Sequence, residues 1–294
     1  MRLIVDMEAT PGPGLLVGAA VELTAGSPER AASLADDAIE ACRAAGDGDW
    51  LRPAYATRGQ VHLFQGEPEA AVASMRMAYA LEQRSGRTDP VVILWHADFV
   101  EALVAVGARE EAQDVLATVT AVANELGRDV VMLGLARARA ILTAADDNAR
   151  AAASDLAASL AEYAGHPYPM ELARAWHALG GLERRAHRRA AARTALTEAI
   201  DRYAAVEAAP WLAAARAELS RLDGAGTTGL TASEQRIVDL LLAGATNREI
   251  AAATFLSVKA VEANLTRLYR RHGVRNRAQL ITMLGPAAAG SVSR

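Results

Sequence analysis

Cysteine and aromatic residues are scarce in this sequence. Cys42 is the single cysteine among 294 residues, which excludes a disulfide framework and a cysteine-based zinc site. Phenylalanine, tyrosine and tryptophan together make up 4% of the chain, so a large core has to be built from alanine, leucine and valine. Because alanine is the best helix former and β-branched runs are few, this composition favours an all-α fold over all-β and Rossmann-type α/β folds.

Long apolar runs are missing as well. A membrane-spanning helix needs about 18 or more consecutive apolar residues, and the sequence has no such stretch. The first 30 residues show no basic start followed by an apolar run, so we expect no signal peptide. The histidines are scattered at spacings that suit no metal motif, and no nucleophile or cofactor motif stands out. We therefore expect a cytoplasmic protein with no membrane segment, metal, cofactor or enzymatic activity.

Five segments of the chain repeat one pattern, each anchored on an alanine. The anchors are 40 or 41 residues apart and lie at Ala31, Ala71, Ala112, Ala152 and Ala192. Glycines stand shortly before the first three anchors, and apolar residues follow most anchors at the spacing of one helical turn. Each unit is therefore predicted to be a helix, a tight turn and a second helix. Such hairpins bury their apolar faces only by stacking on their neighbours.

The pattern resembles tetratricopeptide-type helical repeats and covers residues 15–222. An alanine-rich helical bundle without repeats is the alternative. Proline and glycine predict an irregular start over residues 1–14, and the small polar stretch 223–229 predicts a linker. A second domain is expected over 230–284 and a disordered tail over 285–294. Charge changes at this boundary, because residues 1–228 hold 22 basic and 31 acidic side chains and residues 229–285 hold 8 and 4.

The second domain is predicted to contain four short helices, each with its own start signal. Thr231 with Glu234, Thr246 with Glu249, and Asn276 with Gln279 have the spacing of capping boxes, and Ser257 can cap a further helix. The second and third helices are joined by a tight turn near residues 254–256, and the third spans about 258–272. A short helix, a tight turn and a longer helix are typical of the DNA-binding helix-turn-helix.

Residues 230–284 resemble the LuxR-type (FixJ/NarL-like) helix-turn-helix of bacterial transcription regulators. The matching positions are Leu230, Thr231, Glu234, Gly244, Asn247, Glu249, Ile250, Ala251, Ser257, Val261, Leu268, Val274, Arg277 and Leu280. With the helical repeats before it, this domain is similar to the carboxy-terminal part of MalT-like ("LAL") regulators. Those proteins also carry an ATPase module, whose G-x-x-x-x-G-K-[ST] motif is absent here. The sequence is thus a short member of the family or a fragment of a longer product.

The resemblance implies that Glu262, Ala263 and Thr266 face the bases of double-stranded DNA. Glutamate accepts a hydrogen bond from cytosine and cannot donate to guanine. The complete predicted DNA-binding set is Thr246, Asn247, Ser257, Lys259, Glu262, Ala263, Thr266, Arg267, Arg270 and Arg271. A solvated helix face is the alternative for the basic residues, and an ion pair with Arg236 or Arg248 is the alternative for Glu262. Arg277 is expected to stabilise the domain rather than to bind phosphate.

LuxR-type domains generally bind two half-sites as dimers, which implies a homodimer on DNA. Leu280, Ile281 and Leu284 on the fourth helix are the predicted dimer contacts. The sequence thus predicts a transcription regulator whose repeats sense a small-molecule inducer or a protein partner, and which contacts RNA polymerase. The alternative is a helical-repeat scaffold for protein interactions, in which the helix-turn-helix no longer binds DNA.

Overall fold

Helices account for the regular secondary structure in the described part of the chain. The computed structural model describes residues 11–91, 93–165, 167–227, 232–254, 256–271 and 273–284. The chain divides into two units, residues 1–219 and 220–294. The all-α prediction is confirmed, with helical repeats followed by a helix-turn-helix. In the described ranges, no helix is long and apolar enough to cross a membrane.

The first unit is built from helical hairpins arranged in two layers. One layer lines a central cavity and contains α1 (Gly12–Ala25), α3 (Gly48–Gln65), α5 (His96–Ala105), α7 (Met132–Ala144), α9 (Pro169–Arg185) and α11 (Ala209–Thr227). The other layer contains α2 (Pro28–Ala45), α4 (Pro68–Ser85), α6 (Arg109–Glu125), α8 (Ala149–Glu162) and α10 (Arg189–Ala205). A short 3₁₀ turn, Asp129–Val131, precedes α7. Sequential helices pack against each other, so the predicted tetratricopeptide-like stacking of hairpins is confirmed.

The five anchor alanines are all fully buried, with 0% of their surface exposed. Each lies in the first turns of a second-layer helix, where its small side chain lets a neighbouring backbone approach. At Gly59, for example, an added Cβ would lie 3.2 Å from the carbonyl oxygen of Ala71. The period is longer than the 34 residues of typical tetratricopeptide repeats. Between Ala31 and Ala71 the 40-residue spacing arises because α2 and α3 each have 18 residues and each is followed by a two-residue turn.

Left-handed residues close most of the turns between helices. Gly66 and Gly107 have φ of +77° and +79°, a conformation that glycine adopts without steric cost. In the fourth and fifth repeats the equivalent positions are held by Asp147 and His187, with φ of +58° and +59°. The turn conformation therefore persists where the glycine is lost, at a cost of about 1–2 kcal/mol for a residue with a side chain.

The second unit contains four helices, α12 (Ala232–Leu242), α13 (Asn247–Thr254), α14 (Val258–Arg271) and α15 (Arg277–Leu284). Their apolar faces form a separate core of Ile237, Val238, Leu241, Ile250, Ala251, Val261, Leu265, Leu268 and Leu280. The predicted apolar stripes thus meet inside this unit.

Two segment boundaries differ from the prediction. The helix α1 begins at Gly12, inside the stretch 1–14 that was expected to be irregular. Pro13 lies in the first turn of α1, where a missing N–H costs nothing. At the other end, α11 continues to Thr227, so residues 223–227 of the expected linker are helical. Once a helix is nucleated, each further residue adds a hydrogen bond, and this outweighs the weak propensity of glycine. The remaining residues of the expected linker and the expected tail lie outside the described residues.

Candidate nucleic-acid interface

Capping hydrogen bonds fix where the helices of the second unit begin. The backbone N–H of Thr246 donates to the Glu249 carboxylate at 2.6 Å, and the Glu249 N–H donates to the Thr246 hydroxyl at 3.4 Å. The bonds that the N–H and the hydroxyl of Thr246 donate to the carboxylate also hold the pKa of Glu249 below its usual value. The capping box predicted for α13 is therefore present. The box predicted at Thr231 and Glu234 lies outside the described residues and side chains.

The helix α14 begins at a second predicted cap. The Ser257 hydroxyl accepts a hydrogen bond from the Ala260 N–H at 3.1 Å. At α15, the Asn276 side chain accepts from the Gln279 N–H at 3.0 Å, and the Gln279 side chain accepts from the Arg275 N–H at 2.8 Å. Each cap satisfies a backbone donor that the helix itself leaves without a partner. Short-range sequence signals therefore determine the position of both helices.

One face of α14 is buried and the opposite face is open. Val261, Leu265 and Leu268 pack into the core of the unit. The exposed residues of α14 recur at intervals of three and four and form one stripe: Lys259, Glu262, Ala263, Thr266, Arg267 and Arg270. At the start of α13, Thr246 is exposed and Asn247 is half-buried, and Ser257 is exposed. The arrangement therefore presents these predicted DNA-binding residues at the surface.

The charges on the exposed stripe are mostly without partners. Among the side chains that the structure describes, Lys259, Glu262 and Arg270 make no ion pair. The suggested pairing of Glu262 with Arg236 or Arg248 is therefore not observed. On a helix that fits the major groove, a cation without an ion pair is available to a DNA phosphate. A carboxylate without an ion pair is available to the amino group of a base.

Arg267 is held in place by its own helix. Its guanidinium donates to the Asn264 side-chain oxygen at 2.6 Å, and the Asn264 amide donates to the Ala260 carbonyl at 2.9 Å. The Thr266 hydroxyl donates to the Glu262 carbonyl at 2.9 Å. In these positions Arg267 keeps further N–H donors, whereas Thr266 presents its methyl group and its acceptor lone pairs. The side chain of Arg271 lies outside the description.

Arg277 joins α15 to the turn after α12. Its guanidinium donates to the carbonyl oxygens of Leu241 at 3.3 Å and Ala245 at 2.7 Å. Gly244, in the same turn, has φ of +88°. These contacts support the structural role expected for Arg277.

The predicted dimer contacts on α15 differ in exposure. Leu280 is fully buried in the core of its own unit, at 0% exposure. This burial argues against Leu280 as a dimer contact, because its side chain already fills the space between helices. Ile281 is half-buried and Met283 is exposed, while the side chain of Leu284 is outside the described part. An apolar surface on α15 therefore centres on Ile281 and Met283.

Comparison with known proteins identifies this unit. Residues 228–284 match the family model described as bacterial regulatory proteins, luxR family. The carboxy-terminal domain is a LuxR-type helix-turn-helix. This match covers the unit built from α12 to α15, with α14 as the longer helix of the motif. No curated protein is similar enough to the chain to count as a match.

The repeats are similar in outline to a crystal structure of nearly identical tetratricopeptide-like repeats from Podospora anserina, described as a kinesin light chain. The two chains share 16% identity with a TM-score of 0.45, over 68% of this chain and 99% of the other. The tetratricopeptide-like character of the present repeats rests on their own stacked hairpins.

Sequence reasoning missed a charged cluster inside the repeats. Asp98 on α5 contacts Arg137 on α7 and Arg174 on α9, although 76 residues separate Asp98 from Arg174. The available signal was the presence of charged residues on helices whose other inward positions are apolar. His96 bonds to buried Glu82 at 2.9 Å and His177 bonds to Glu218 at 3.2 Å, while His166 lies outside the described residues. Among the described residues, no group of three or more His, Cys, Asp or Glu side chains is placed to hold a metal ion.

Proposed function

We propose that this protein is a sequence-specific DNA-binding transcription regulator. The observation that carries the proposal is the exposed stripe of α14 in a LuxR-type domain, where Lys259 and Arg270 pair with no carboxylate of the described side chains. In this role α14 lies in the major groove, with its short side chains toward the bases and its basic side chains toward phosphates. The protein acts on double-stranded DNA inside the cell, and the helical repeats receive a signal or a partner.

The residues proposed to face the bases favour particular DNA bases. Glu262 and Ala263 lie near the start of α14, and Thr266 lies one turn further along the same face. An unpaired carboxylate at position 262 favours a cytosine amino group, and the Ala263 methyl group favours the methyl group of thymine. A Glu262→Gln variant should shift the preferred base toward adenine at one position, with discrimination changing by about 1–3 kcal/mol.

A selection from random DNA duplexes tests the proposal with the full chain. The protein should enrich one sequence, and its affinity should fall steeply with salt because bound phosphates release counterions. Replacing Lys259, Arg267 and Arg270 with alanine should lower the slope of log K against log salt by about one unit per lost contact. Arg236→Ala, an exposed arginine on α12, is the matched control and should leave the slope unchanged.

The same experiment distinguishes the alternative function. Unpaired Glu262 repels phosphate, which favours a scaffold whose domain no longer binds DNA. Failure to enrich any sequence, together with salt-independent retention, would contradict the regulator and support the scaffold. If binding occurs, a homodimer on DNA requires two half-sites about 34 Å apart or a multiple of this distance. Sedimentation of the protein–DNA complex measures that stoichiometry.

A further inference from the structure

The first-layer helices of the repeats line a partly open cavity of about 650 Å³. Equivalent positions of the five repeats contribute to the lining of this cavity. The residue eleven positions before each anchor lies on the wall in all five repeats: Ala20, Gln60, Glu101, Ile141 and Gly181. Pockets that hold small organic molecules typically measure about 300–1,000 Å³. The cavity therefore has the size of a ligand site, and it lies entirely within residues 1–219.

Trp211 connects the last first-layer helix to the first ones. Its indole N–H on α11 donates to the Leu23 carbonyl on α1 at 3.1 Å, across 188 residues of sequence. Its ring lies 4.7 Å from the ring of Phe64 on α3. The helix α11 thus meets the first two hairpins, and the curved array of repeats closes on itself. An aromatic wall of Phe64, Tyr203 and Trp211 results.

An adjoining part of the wall is ionic, and its Arg174 guanidinium lies over the Trp211 ring, 5.0 Å from the ring centre. Asp98 accepts hydrogen bonds from Arg137, Arg174 and Gln60, and its side chain is 2% exposed. Arg137 also pairs with Glu101 at 2.5 Å, and Arg174 pairs with Glu171 at 3.3 Å. Each buried guanidinium therefore already faces carboxylates of the protein. A charged ligand group placed against this cluster would have to give up its hydration without finding a free counter-ion.

Hydrogen-bonding capacity nevertheless remains on this wall. The Nε atom of Arg137 is buried and has no hydrogen-bond partner among the described residues. The Glu101 side chain is 34% exposed and uses one carboxylate oxygen for Arg137. Buried donors without partners are uncommon in folded proteins, because each costs about 1–3 kcal/mol. An uncharged molecule with a donor group would meet the partly exposed Glu101 carboxylate and leave the ion pairs intact.

We propose that the cavity binds an uncharged, ring-containing small molecule. Its rings lie against Phe64 and Trp211, and its polar groups meet Glu101. This inference rests on the proposed function only in assigning the input site of a regulator. Binding itself involves neither the LuxR-type domain nor DNA.

Fluorescence titration of the full chain with N-phenyl-1-naphthylamine tests the proposal. This uncharged probe has two ring systems and one N–H donor, and its emission rises in apolar surroundings. The matched probe, 1-anilinonaphthalene-8-sulfonate, has the same skeleton with an added sulfonate. We expect saturable binding of one uncharged probe per chain, with about tenfold or greater preference over the sulfonate because a buried anion would lack a counter-ion. Equal affinity, or preference for the sulfonate, would overturn the proposed ligand class.

A pair of neighbouring variants on α11 locates the bound probe. Ala214 lines the cavity, whereas Ala213 is exposed and does not line it. Ala214→Phe should fill the cavity and weaken probe binding about tenfold or more, while Ala213→Phe should leave binding unchanged. The same result is expected for Ala178→Leu, which fills the cavity from α9 if Ala214→Phe does not fold. Retained binding in the folded cavity-filling variants would overturn the proposed site.

The outcomes of the two proposals remain separable. The probe titration contains no DNA, so its failure leaves operator binding intact. Conversely, a chain that selects no DNA sequence can still bind the uncharged probe in the cavity.

Discussion

The repeats and the LuxR-type domain use their charged side chains in opposite ways. Every ion pair between two described side chains lies in the repeats, from Arg30–Glu22 to Arg202–Glu198 along the chain and including the buried cluster at Asp98. On α14, by contrast, Lys259 and Arg270 face solvent, and no carboxylate in the described part of the chain pairs with them. Paired charges inside a fold contribute to its specificity and are costly to expose singly, whereas unpaired surface charges are available to a ligand. Charged side chains of the repeats therefore mainly stabilise the fold, whereas the cations of α14 are available to bind a polyanion.

The largest expected effect comes from breaking the buried pairing at Asp98. Asp98→Ala leaves the guanidiniums of Arg137 and Arg174 without their shared carboxylate. Because an unpaired buried charge is strongly unfavourable, the free energy of unfolding of the repeats should fall by about 3–5 kcal/mol. Urea denaturation of the full chain, followed by circular dichroism, measures the loss. The control is Asp49→Ala, which breaks an exposed pair with Arg87 and should cost about 0–1 kcal/mol. Equal losses would remove the distinction between the two kinds of pair.

Acid titration probes the same cluster more gently. Burial raises the pKa of Asp98, but the charges of Arg174 and Arg137 outweigh it and hold that pKa well below the usual value. A depressed pKa stabilises the folded state above the unfolded value, so this contribution should be lost as the pH falls below about 4. Unfolding free energies measured between neutral pH and pH 2–4 should decline for the native chain. The decline should be shallower for Asp98→Asn, and identical slopes would contradict the assignment.

The stability of the LuxR-type domain should depend instead on hydrogen bonds from side chains to its main chain. Arg277→Ala removes the two bonds to the Leu241 and Ala245 carbonyls and should cost this domain about 1.5–3 kcal/mol. Its exposed neighbour offers the control, and Arg275→Ala should change stability by less than about 0.5 kcal/mol. Thermal unfolding of the carboxy-terminal transition is the measurement. Unchanged stability with weakened DNA binding would show that Arg277 is a phosphate ligand.

The smallest effect concerns the turns of the two regions. The LuxR-type domain places glycine at its left-handed positions, with φ of +88° at Gly244 and +66° at Gly273, whereas the repeats place His187 at one of theirs. His187→Gly relieves the steric cost but adds backbone entropy to the unfolded chain, so we expect a gain of about 0.5–1 kcal/mol. Gly244→Ala should lower the free energy of unfolding by about 1 kcal/mol. This cost comes from the left-handed backbone conformation alone, because an added Cβ meets no atom within 4 Å. Melting temperatures that move in the same direction would contradict this account.

Local signals predicted three helix starts and the apolar core of the LuxR-type domain, and the buried anchors of the repeats. Capping at Thr246, Ser257 and Asn276 needs only three or four consecutive residues, so the sequence reveals it directly. Buried anchors were predictable for a similar reason, because helical periodicity shows which residues share a face. The residues eleven positions before each anchor follow the same helical register. Their role as cavity lining could not be predicted, because the sequence does not show which layer of helices faces the cavity. Leu280 shows the converse limit, since an apolar residue on α15 fits a dimer surface and a core equally well until its neighbours are known.

The sequence by itself determined that the chain is helical, that hairpins repeat every 40 or 41 residues, and that a LuxR-type motif follows. These properties depend on neighbours within one or two helical turns and on residue order within a short motif. Only the tertiary structure decided that Asp98 meets Arg174, and that Trp211 meets Leu23 across 188 residues. The physical reason is that small rotations between successive hairpins add up over five repeats. The resulting curvature, which brings the first and last hairpins together, is not recorded in any single repeat.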